Sequence, residues 1–228
     1  MVETANRISL SSLFFMGILF MLISSCKKDE NKNITITDID GNVYHSVIIG
    51  TQVWMVENLN TSRYRDGDSI PCITDDSIWF HLTTGAYRNY ILPSNGLTYG
   101  RLYNWYAVAD SRNICPTGWH VPSEASWVIL ADYLGGESIA GGKLKETGLS
   151  HWQTPNGGAT NETGFTALPG GDYGSQGDEE IGTIGNWWAS DESEVFYSYC
   201  RSIYYYDSRL MRGSASKIFG FSIRCLKD

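Results

Sequence analysis

The sequence lacks the short patterns that usually carry catalysis. It has no His-Glu-x-x-His or Cys-x-x-Cys pair for zinc, no Gly-x-Ser-x-Gly around a nucleophilic serine, and no phosphate-binding loop. The four histidines are isolated, so we expect them to pack or to lie at the surface: His45, His81, His120 and His151. We therefore predict a protein that is not an enzyme and has no cofactor, with Ca²⁺ as the one exception left open.

The sequence also lacks a cluster of basic residues. Its formal net charge is -8 at pH 7, and no stretch concentrates lysine and arginine. Proteins that bind nucleic acids need positive charge to contact the phosphate backbone. Nucleic acid is therefore excluded as a partner.

No apolar run is long enough for a comfortable membrane span. The apolar run nearest the amino terminus covers residues 13–23, follows Arg7, and ends in the residues Leu22-Ile23-Ser24-Ser25-Cys26. This ending resembles the lipobox of bacterial lipoproteins, in which the cysteine is acylated and becomes the new amino terminus. We predict a signal peptide over residues 1–25 and a lipid on Cys26, which anchors the protein to a membrane. The alternative is an uncleaved anchor helix with an incidental cysteine.

The residues after Cys26 are polar. Residues 27–33 contain no apolar side chain, so residues 26–33 are predicted to be the lipidated cysteine and a solvated tether. The Cys-Lys-Lys-Asp-Glu start resembles the export signal of surface-exposed lipoproteins in the Bacteroidetes group. The expected location is the outer membrane, facing the cell exterior, with a periplasm-facing location as the alternative. Residues 34–228 are predicted to form one domain.

Four cysteines remain in the mature chain: Cys72, Cys115, Cys200 and Cys225. An even number in an exported chain favours disulfides over metal sites or reactive thiols. Four cysteines allow three pairings, and their count does not choose among them.

Turn signals divide the first part of the domain into short strands. Asp40-Gly41 lies within the alternating residues 34–44, and Gly50-Thr51 separates the apolar residues 47–49 from 53–55. Both patterns predict hairpins. Residues 63–95 are polar and irregular and predict a long loop, and residues 100–109 fit a short helix or strand.

The clearest helix is predicted near residues 123–134. Pro122 precedes it, Ser123 can cap it, and Gly135-Gly136 can end it. Four apolar residues share one face: Trp127, Leu130, Ala131 and Leu134. A helical turn is expected over residues 143–146, and strands over 195–206 and 218–226. This order predicts an α+β fold with mainly antiparallel strands, one clear helix and long loops.

Seven sequence blocks together carry a resemblance to a known family. They are TDIDGNVY (37–44), WMVENL (54–59), YNWYAV (103–108), CPTGWHVP (115–122), GGKLKE (141–146), GFTALPGG (164–171) and GFSIRC (220–225). In this order they resemble the Fibrobacter succinogenes major paralogous domain family. The family consists of exported proteins of undefined biochemical role, so the resemblance implies a family and no activity.

A second resemblance concerns the fold. The block GWHVPSEASW (118–127) and the closing residues 220–224 are similar to formylglycine-generating-enzyme-like domains, which are relatives of the C-type lectin fold. The resemblance implies a C-type-lectin-like fold and a disulfide between Cys115 and Cys225. Cys72 and Cys200 are then left to pair with each other.

An acidic and aromatic stretch is the predicted place of a ligand. In lectin-like scaffolds ligands usually bind on the long loops before the final strands, here residues 170–206. The candidate ligand-binding residues are Asp172, Asp178, Glu179, Trp187, Trp188, Tyr204 and Tyr206. Carboxylates suit Ca²⁺ or sugar hydroxyls, and aromatic rings can stack on a sugar. The alternatives are a solvated acidic loop and aromatic residues that belong to the core.

The expected function is that of a lipid-anchored, non-catalytic surface module for binding or adhesion. Its ligand would be a glycan or a surface protein. Two alternatives remain, a surface hydrolase on the same scaffold and a purely structural surface coat, because a fold does not establish a function.

Overall fold

The computed structural model of the protein describes Met1 and residues 35–90, 98–174 and 180–228. Short antiparallel sheets and a few short helices make up this part, which agrees with the predicted α+β class. Within it, no helix is long and apolar enough to cross a membrane. The predicted signal peptide, the lipidated Cys26 and the polar tether fall outside the described residues.

Two hairpins open the domain, as the turn signals predict. Strand β1 (Ile36–Thr37) pairs with β2 (Val43–Tyr44), and β3 (Ser46–Ile49) pairs with β4 (Gln52–Met55). The Asp38 carboxylate holds the first turn by accepting hydrogen bonds from the backbone of Asp40 and Asn42 and from the Tyr44 hydroxyl. An aspartate that bonds backbone donors further along the chain stabilises such a turn.

A four-stranded sheet joins distant parts of the chain. Its strand order is β3-β4-β11-β7, with β7 at Trp119–His120 and β11 at Leu226–Lys227. Leu226 pairs with Trp54 on one side and with His120 on the other. The disulfide between Cys115 and Cys225 lies just before β7 and β11 and spans 110 residues, so the pairing that the resemblance implied is confirmed.

Short elements lie where a long loop and an ambiguous segment were predicted. They are α1 (Asp76–Trp79), β5 (Tyr87–Arg88), β6 (Leu102–Tyr103) and α2 (Trp105–Val108). Helix α1 forms because the Asp75 side chain accepts hydrogen bonds from the first amides and because Trp79 is fully buried. Four residues are too few to show a helical periodicity, so the sequence did not reveal this helix.

The predicted helix is confirmed as α3 (Glu124–Tyr133), with Ser123 as its cap. Helix α4 (Glu137–Leu144) follows, where only a turn at residues 143–146 was expected. The helix was not predicted because it contains two glycines, Gly141 and Gly142, which disfavour a helix. The close packing of the neighbouring backbone requires glycine at both positions. A Cβ on Gly141 would lie 2.2 Å from the Arg209 carbonyl oxygen, and one on Gly142 would lie 2.3 Å from the Gly158 carbonyl oxygen.

A three-stranded antiparallel sheet forms the last large element. It contains β8 (Ile184–Glu194), β9 (Tyr197–Tyr204) and β10 (Met211–Ser216), in the order β10-β9-β8. Strand β9 confirms most of the strand predicted at 195–206. The prediction of one strand over residues 218–226 is wrong, because that segment forms isolated bridges at Phe221 and Ser222 before it reaches β11.

Aromatic side chains and one buried arginine form the core between the elements. The Trp54 ring lies 4.7 Å from Trp127 and 5.7 Å from Phe165, centroid to centroid. The buried Arg224 guanidinium donates two hydrogen bonds to Asn58 Oδ1, and the Trp187 indole donates a third at 2.8 Å. The guanidinium is thus paired with polar atoms inside an aromatic core, as a buried charge requires.

Candidate functional site

A groove of about 450 Å³ runs along one face of the three-stranded sheet. Directly paired residues of an antiparallel sheet share a face, so the strand register defines the groove floor. Its floor has two rows, Asn186 with Ser202 and Met211, and Cys200 with Gly213. Other described residues complete the lining: Asp172, Glu180, Ile184, Tyr197, Tyr204, Arg212, Ser214, Ala215, Ser216, Phe219 and Phe221.

A chain of hydrogen bonds lines one end of the groove. The Ser202 hydroxyl donates to Asn186 Oδ1 at 2.5 Å, and Asn186 Nδ2 donates to Asp172 Oδ2 at 2.7 Å. The other carboxylate oxygen of Asp172, Oδ1, accepts no hydrogen bond from any residue that the structure describes. The chain orients the Asp172 carboxyl and leaves this oxygen able to bond a ligand.

The Asp172 carboxyl is electrostatically unusual. Burial, and to a smaller extent the neighbouring carboxylate of Glu180, together raise its pKa to about 7. Near neutral pH the group therefore changes between an acceptor and a form that also donates a hydrogen bond. Ligands with hydroxyl or amide groups match both forms.

Small residues make the groove floor deep. Gly213 has no side chain, Ala215 is small, and Cys200 lies opposite Gly213 on the neighbouring strand. Burial raises the pKa of Cys200 to about 12, so the group is a neutral thiol at physiological pH. It contributes an apolar surface to the groove and no nucleophile.

The predicted bond between Cys72 and Cys200 is wrong. Cys200 is buried in β9, whereas Cys72 is exposed and pairs with Tyr87 through an isolated backbone β-bridge. Both thiols are free. The cross-strand neighbours of Cys200 are Trp188 and Gly213, so the sheet encloses its thiol. The even number of cysteines correctly indicated a disulfide, but two of the four cysteines are not bonded.

Trp187 and Trp188 do not form a ligand-binding wall. Both side chains are fully buried, so the core alternative is the correct one. The Trp188 indole donates to the Tyr103 carbonyl oxygen at 2.7 Å, and its ring lies 4.4 Å from Phe221. Trp187 belongs to the Arg224 network, and neither indole lines the groove.

The structure brings part of the remaining prediction together. Asp172 and Tyr204 both line the groove, and the Tyr206 ring lies 5.3 Å from the Tyr204 ring and is 48% exposed. The two tyrosines therefore form an aromatic lip beside the polar chain. Asp178 and Glu179 lie outside the described residues.

Asn186 and Ser202 were not among the predicted site residues. They come together only because β8 pairs with β9 in a register that places them opposite each other. An amide next to two buried tryptophans gave no signal of its own in the sequence.

The described residues hold no group of three or more His, Cys, Asp or Glu side chains that could bind a metal ion. In the described lining of the groove, carboxylates come from Asp172 and Glu180. Calcium usually takes six to eight oxygen ligands, so these two residues would need further ligands to hold it.

A second groove, of about 510 Å³, lies beside Cys115. Its arginines are engaged in the fold. Arg65 donates to three carbonyl oxygens of residues 115–119, and Arg63 pairs with Asp40 at 3.2 Å. The groove along the three-stranded sheet is the better candidate, because its carboxyl Oδ1 is not engaged by the described fold.

Comparison with known proteins gives one finding. The model of a family described as the Fibrobacter succinogenes major domain matches residues 47–227, which span the four-stranded sheet and the groove. No curated protein and no solved structure matches the chain.

Proposed function

Because the chain belongs to the Fibrobacter succinogenes major domain family, we propose that its domain is a non-catalytic binding module for adhesion at a cell surface. The ligand, a glycan or a surface protein, binds in the groove along the three-stranded sheet. The observation that supports this proposal is the composition of the groove. It combines an apolar floor, an aromatic lip and an oriented carboxyl, and binding sites commonly join an apolar wall to a few fixed polar groups.

The module acts at a membrane surface in this proposal. Residues 1–25 direct export, Cys26 carries the lipid, and residues 26–33 tether the domain of residues 34–228 to the outer membrane, facing the exterior. The lipobox-like residues before Cys26 and the polar tether support this arrangement. The disulfide between Cys115 and Cys225 supports an oxidising location as well.

The finer fold assignment is also a proposal, a C-type-lectin-like domain. Two features support it. Strand β11 joins β4 to β7, which brings the two ends of the domain into one sheet, and the disulfide closes the long segment between them. The groove then lies on the segment enclosed by these ends.

A second candidate function rests on the two acids of the groove. Asp172 has a pKa near 7, as a general acid needs, and Glu180 supplies a second carboxylate nearby. Glycosidases use such a pair of carboxyl groups, one protonated and one charged. A surface hydrolase is therefore the alternative, and it predicts a product where the binding module predicts none.

A matched pair of variants tests the groove. Gly213 lies on the groove floor, whereas Ile129 is exposed on α3 and is not among the residues that line the groove. Purified residues 34–228 are applied to glycan arrays and to arrays of surface-protein peptides, with and without Ca²⁺. Gly213→Trp fills the groove and abolishes binding, whereas Ile129→Trp leaves binding intact.

Both variants must keep the wild-type melting temperature for this comparison. Equal binding by wild type and Gly213→Trp contradicts the placement in the groove. The absence of any ligand on both arrays contradicts the binding module itself and favours a structural coat. A cleaved glycan or peptide favours the hydrolase.

A further inference from the structure

Strand β10 forms one edge of the three-stranded sheet. Its six residues pair with β9 in continuous register, from Met211 opposite Ser202 to Ser216 opposite Tyr197, without a bulge. One side of β10 is therefore bonded to β9 along its whole length. The other side determines what else the strand can bind.

The register identifies the backbone groups on that other side. The amide of Lys217 donates to the Phe196 carbonyl oxygen, one pair beyond the strand. Hydrogen-bonded pairs alternate in an antiparallel ladder, so the amides and carbonyls of Met211, Gly213 and Ala215 face β9. Those of the alternate residues, 212, 214 and 216, face away from the sheet.

Most of these outward groups have no partner in the described part of the chain. No described residue bonds the amides of Arg212, Ser214 or Ser216 or the carbonyls of Arg212 and Ser214. The Ser216 carbonyl accepts a hydrogen bond from the Phe219 amide. A row of N–H and C=O groups at strand spacing is thus open to another backbone.

The usual protections of an edge strand are missing from β10. Exposed edges are commonly blocked by proline, a bulge or an outward charge. The only charged side chain of β10, Arg212, is directed elsewhere, since it lies 2.7 Å from the Glu124 carboxylate and 4.8 Å from the Tyr199 ring. The edge is left unblocked by the strand's own residues.

The edge and the groove are one surface. All six residues of β10 line the groove, and Gly213 and Ala215 leave space on its floor. The groove carboxylates belong to Asp172 and Glu180, while the basic Arg212 is engaged by Glu124. The free charge along this surface is therefore negative.

We propose that the groove binds an extended polypeptide segment of a partner protein, which adds to β10 as a fourth strand. Alternate side chains of this segment enter the groove, and a lysine or arginine among them meets Asp172 and Glu180. This inference rests on the proposed function, because it names the ligand class for the same groove. A glycan has no row of N–H and C=O groups to match the edge, which favours a polypeptide.

The first experiment uses a random 12-residue peptide library displayed on phage, selected against wild-type residues 34–228. Each selected peptide is then synthesised with single backbone N-methyl groups. We expect alternate N-methyl positions to weaken binding by about tenfold or more and the intervening positions to have little effect. This period of two follows from strand pairing and is read on the unaltered protein.

The second experiment changes the edge itself. Ser214→Pro removes an outward amide without removing a bond to β9, and Ser214→Ala is the matched control that keeps the amide. We expect the proline variant to bind the selected peptides about tenfold more weakly or worse, and the alanine variant to bind within about threefold of wild type. Melting temperatures verify folding, and the N-methyl pattern decides the question if the proline variant does not fold.

Five outcomes overturn the inference. In the first, peptides bind without the alternating N-methyl pattern, and in the second, the folded Ser214→Pro variant binds as wild type does. In the third, only glycans bind and Gly213→Trp abolishes that binding, so the proposed function stands and the polypeptide assignment fails. In the fourth, wild type sediments as a dimer that Ser214→Pro dissociates, which makes the occupant a second copy of this chain. In the fifth, neither glycans nor peptides bind, and the proposed function fails as well.

Discussion

Replacing Cys115 and Cys225 together with alanine removes the bond that joins the segment before β7 to the residue before β11. The bond closes a loop with a sequence separation of 110 residues. In the chain-entropy model, a cross-link over that length restricts the unfolded chain by about 4.8 kcal/mol at 25 °C. Both sulfurs are buried, and alanine avoids placing a hydroxyl there.

We therefore expect the double variant to lose about 4–5 kcal/mol of unfolding free energy, much of the total stability of a typical domain. Urea denaturation followed by tryptophan fluorescence measures this loss. The denaturant dependence of the free energy should rise at the same time, because the unfolded chain without the bond is more expanded.

Cys72→Ser is the matched control. This thiol is exposed and free, so its replacement should change the unfolding free energy by no more than about 0.5 kcal/mol. A large loss in this control would mean that Cys72 is bonded after all. A loss under about 1.5 kcal/mol in the double variant, with an unchanged denaturant dependence, would refute the reasoning from loop entropy.

Three further predictions concern other parts of the chain. Lys145→Met should cost about 3 kcal/mol or more in urea denaturation, because the buried ammonium donates to three backbone carbonyls that would lose it. Lys143→Met removes only a surface ion pair and should cost less than about 0.5 kcal/mol; equal losses in both variants would contradict this. Because burial raises the pKa of Asp172 to about 7, the folded state binds more protons than the unfolded state between about pH 4 and pH 7, so stability falls as pH rises through that window. Asp172→Asn should flatten this part of the profile of urea midpoint against pH, and an unchanged profile would show that the carboxyl titrates normally. Cys26→Ala should remove the protein from detergent-phase membrane fractions, and unchanged partitioning with no acyl mass on the wild-type amino terminus would refute the lipid anchor.

Local signals predicted the elements that carry them. Helix α3 has a capping serine and an apolar stripe, and the first two hairpins have glycine turns, so each could be located from a few neighbouring residues. Strand β8 has no such signal. Its first six residues are buried, because Trp187 packs against Phe165 on one face and Trp188 packs against Phe221 on the other. A strand buried on both faces shows no alternation.

The same burial explains why the aromatic part of the site was misplaced. Trp187 and Trp188 point to opposite faces of β8, one toward Arg224 and the other toward Phe221, and both faces are covered. Asp172 and Tyr204 could be predicted, because a carboxylate and a tyrosine on a loop-rich stretch are reasonable ligand contacts. Their association with Asn186 depends on strand register, which the sequence of one strand does not contain.

Strand β10 was missed for a different reason. Met-Arg-Gly-Ser-Ala-Ser has no β-branched or aromatic residue and little preference for a strand. Its conformation comes from six backbone pairs with β9. The small side chains of β10 give no strand signal in the sequence, and the same small side chains leave space for the groove.

The position of β11 dictates the order in which the protein can fold. Leu226 pairs with both Trp54 and His120, so β4 and β7 have no common neighbour until residues 226–227 have been synthesised. Contacts this distant along the chain form slowly, and the earlier segments expose apolar surface in the meantime. Nearly the whole domain must therefore be present before its central sheet and its disulfide can close, and a chain cut before Cys225 would leave both unfinished.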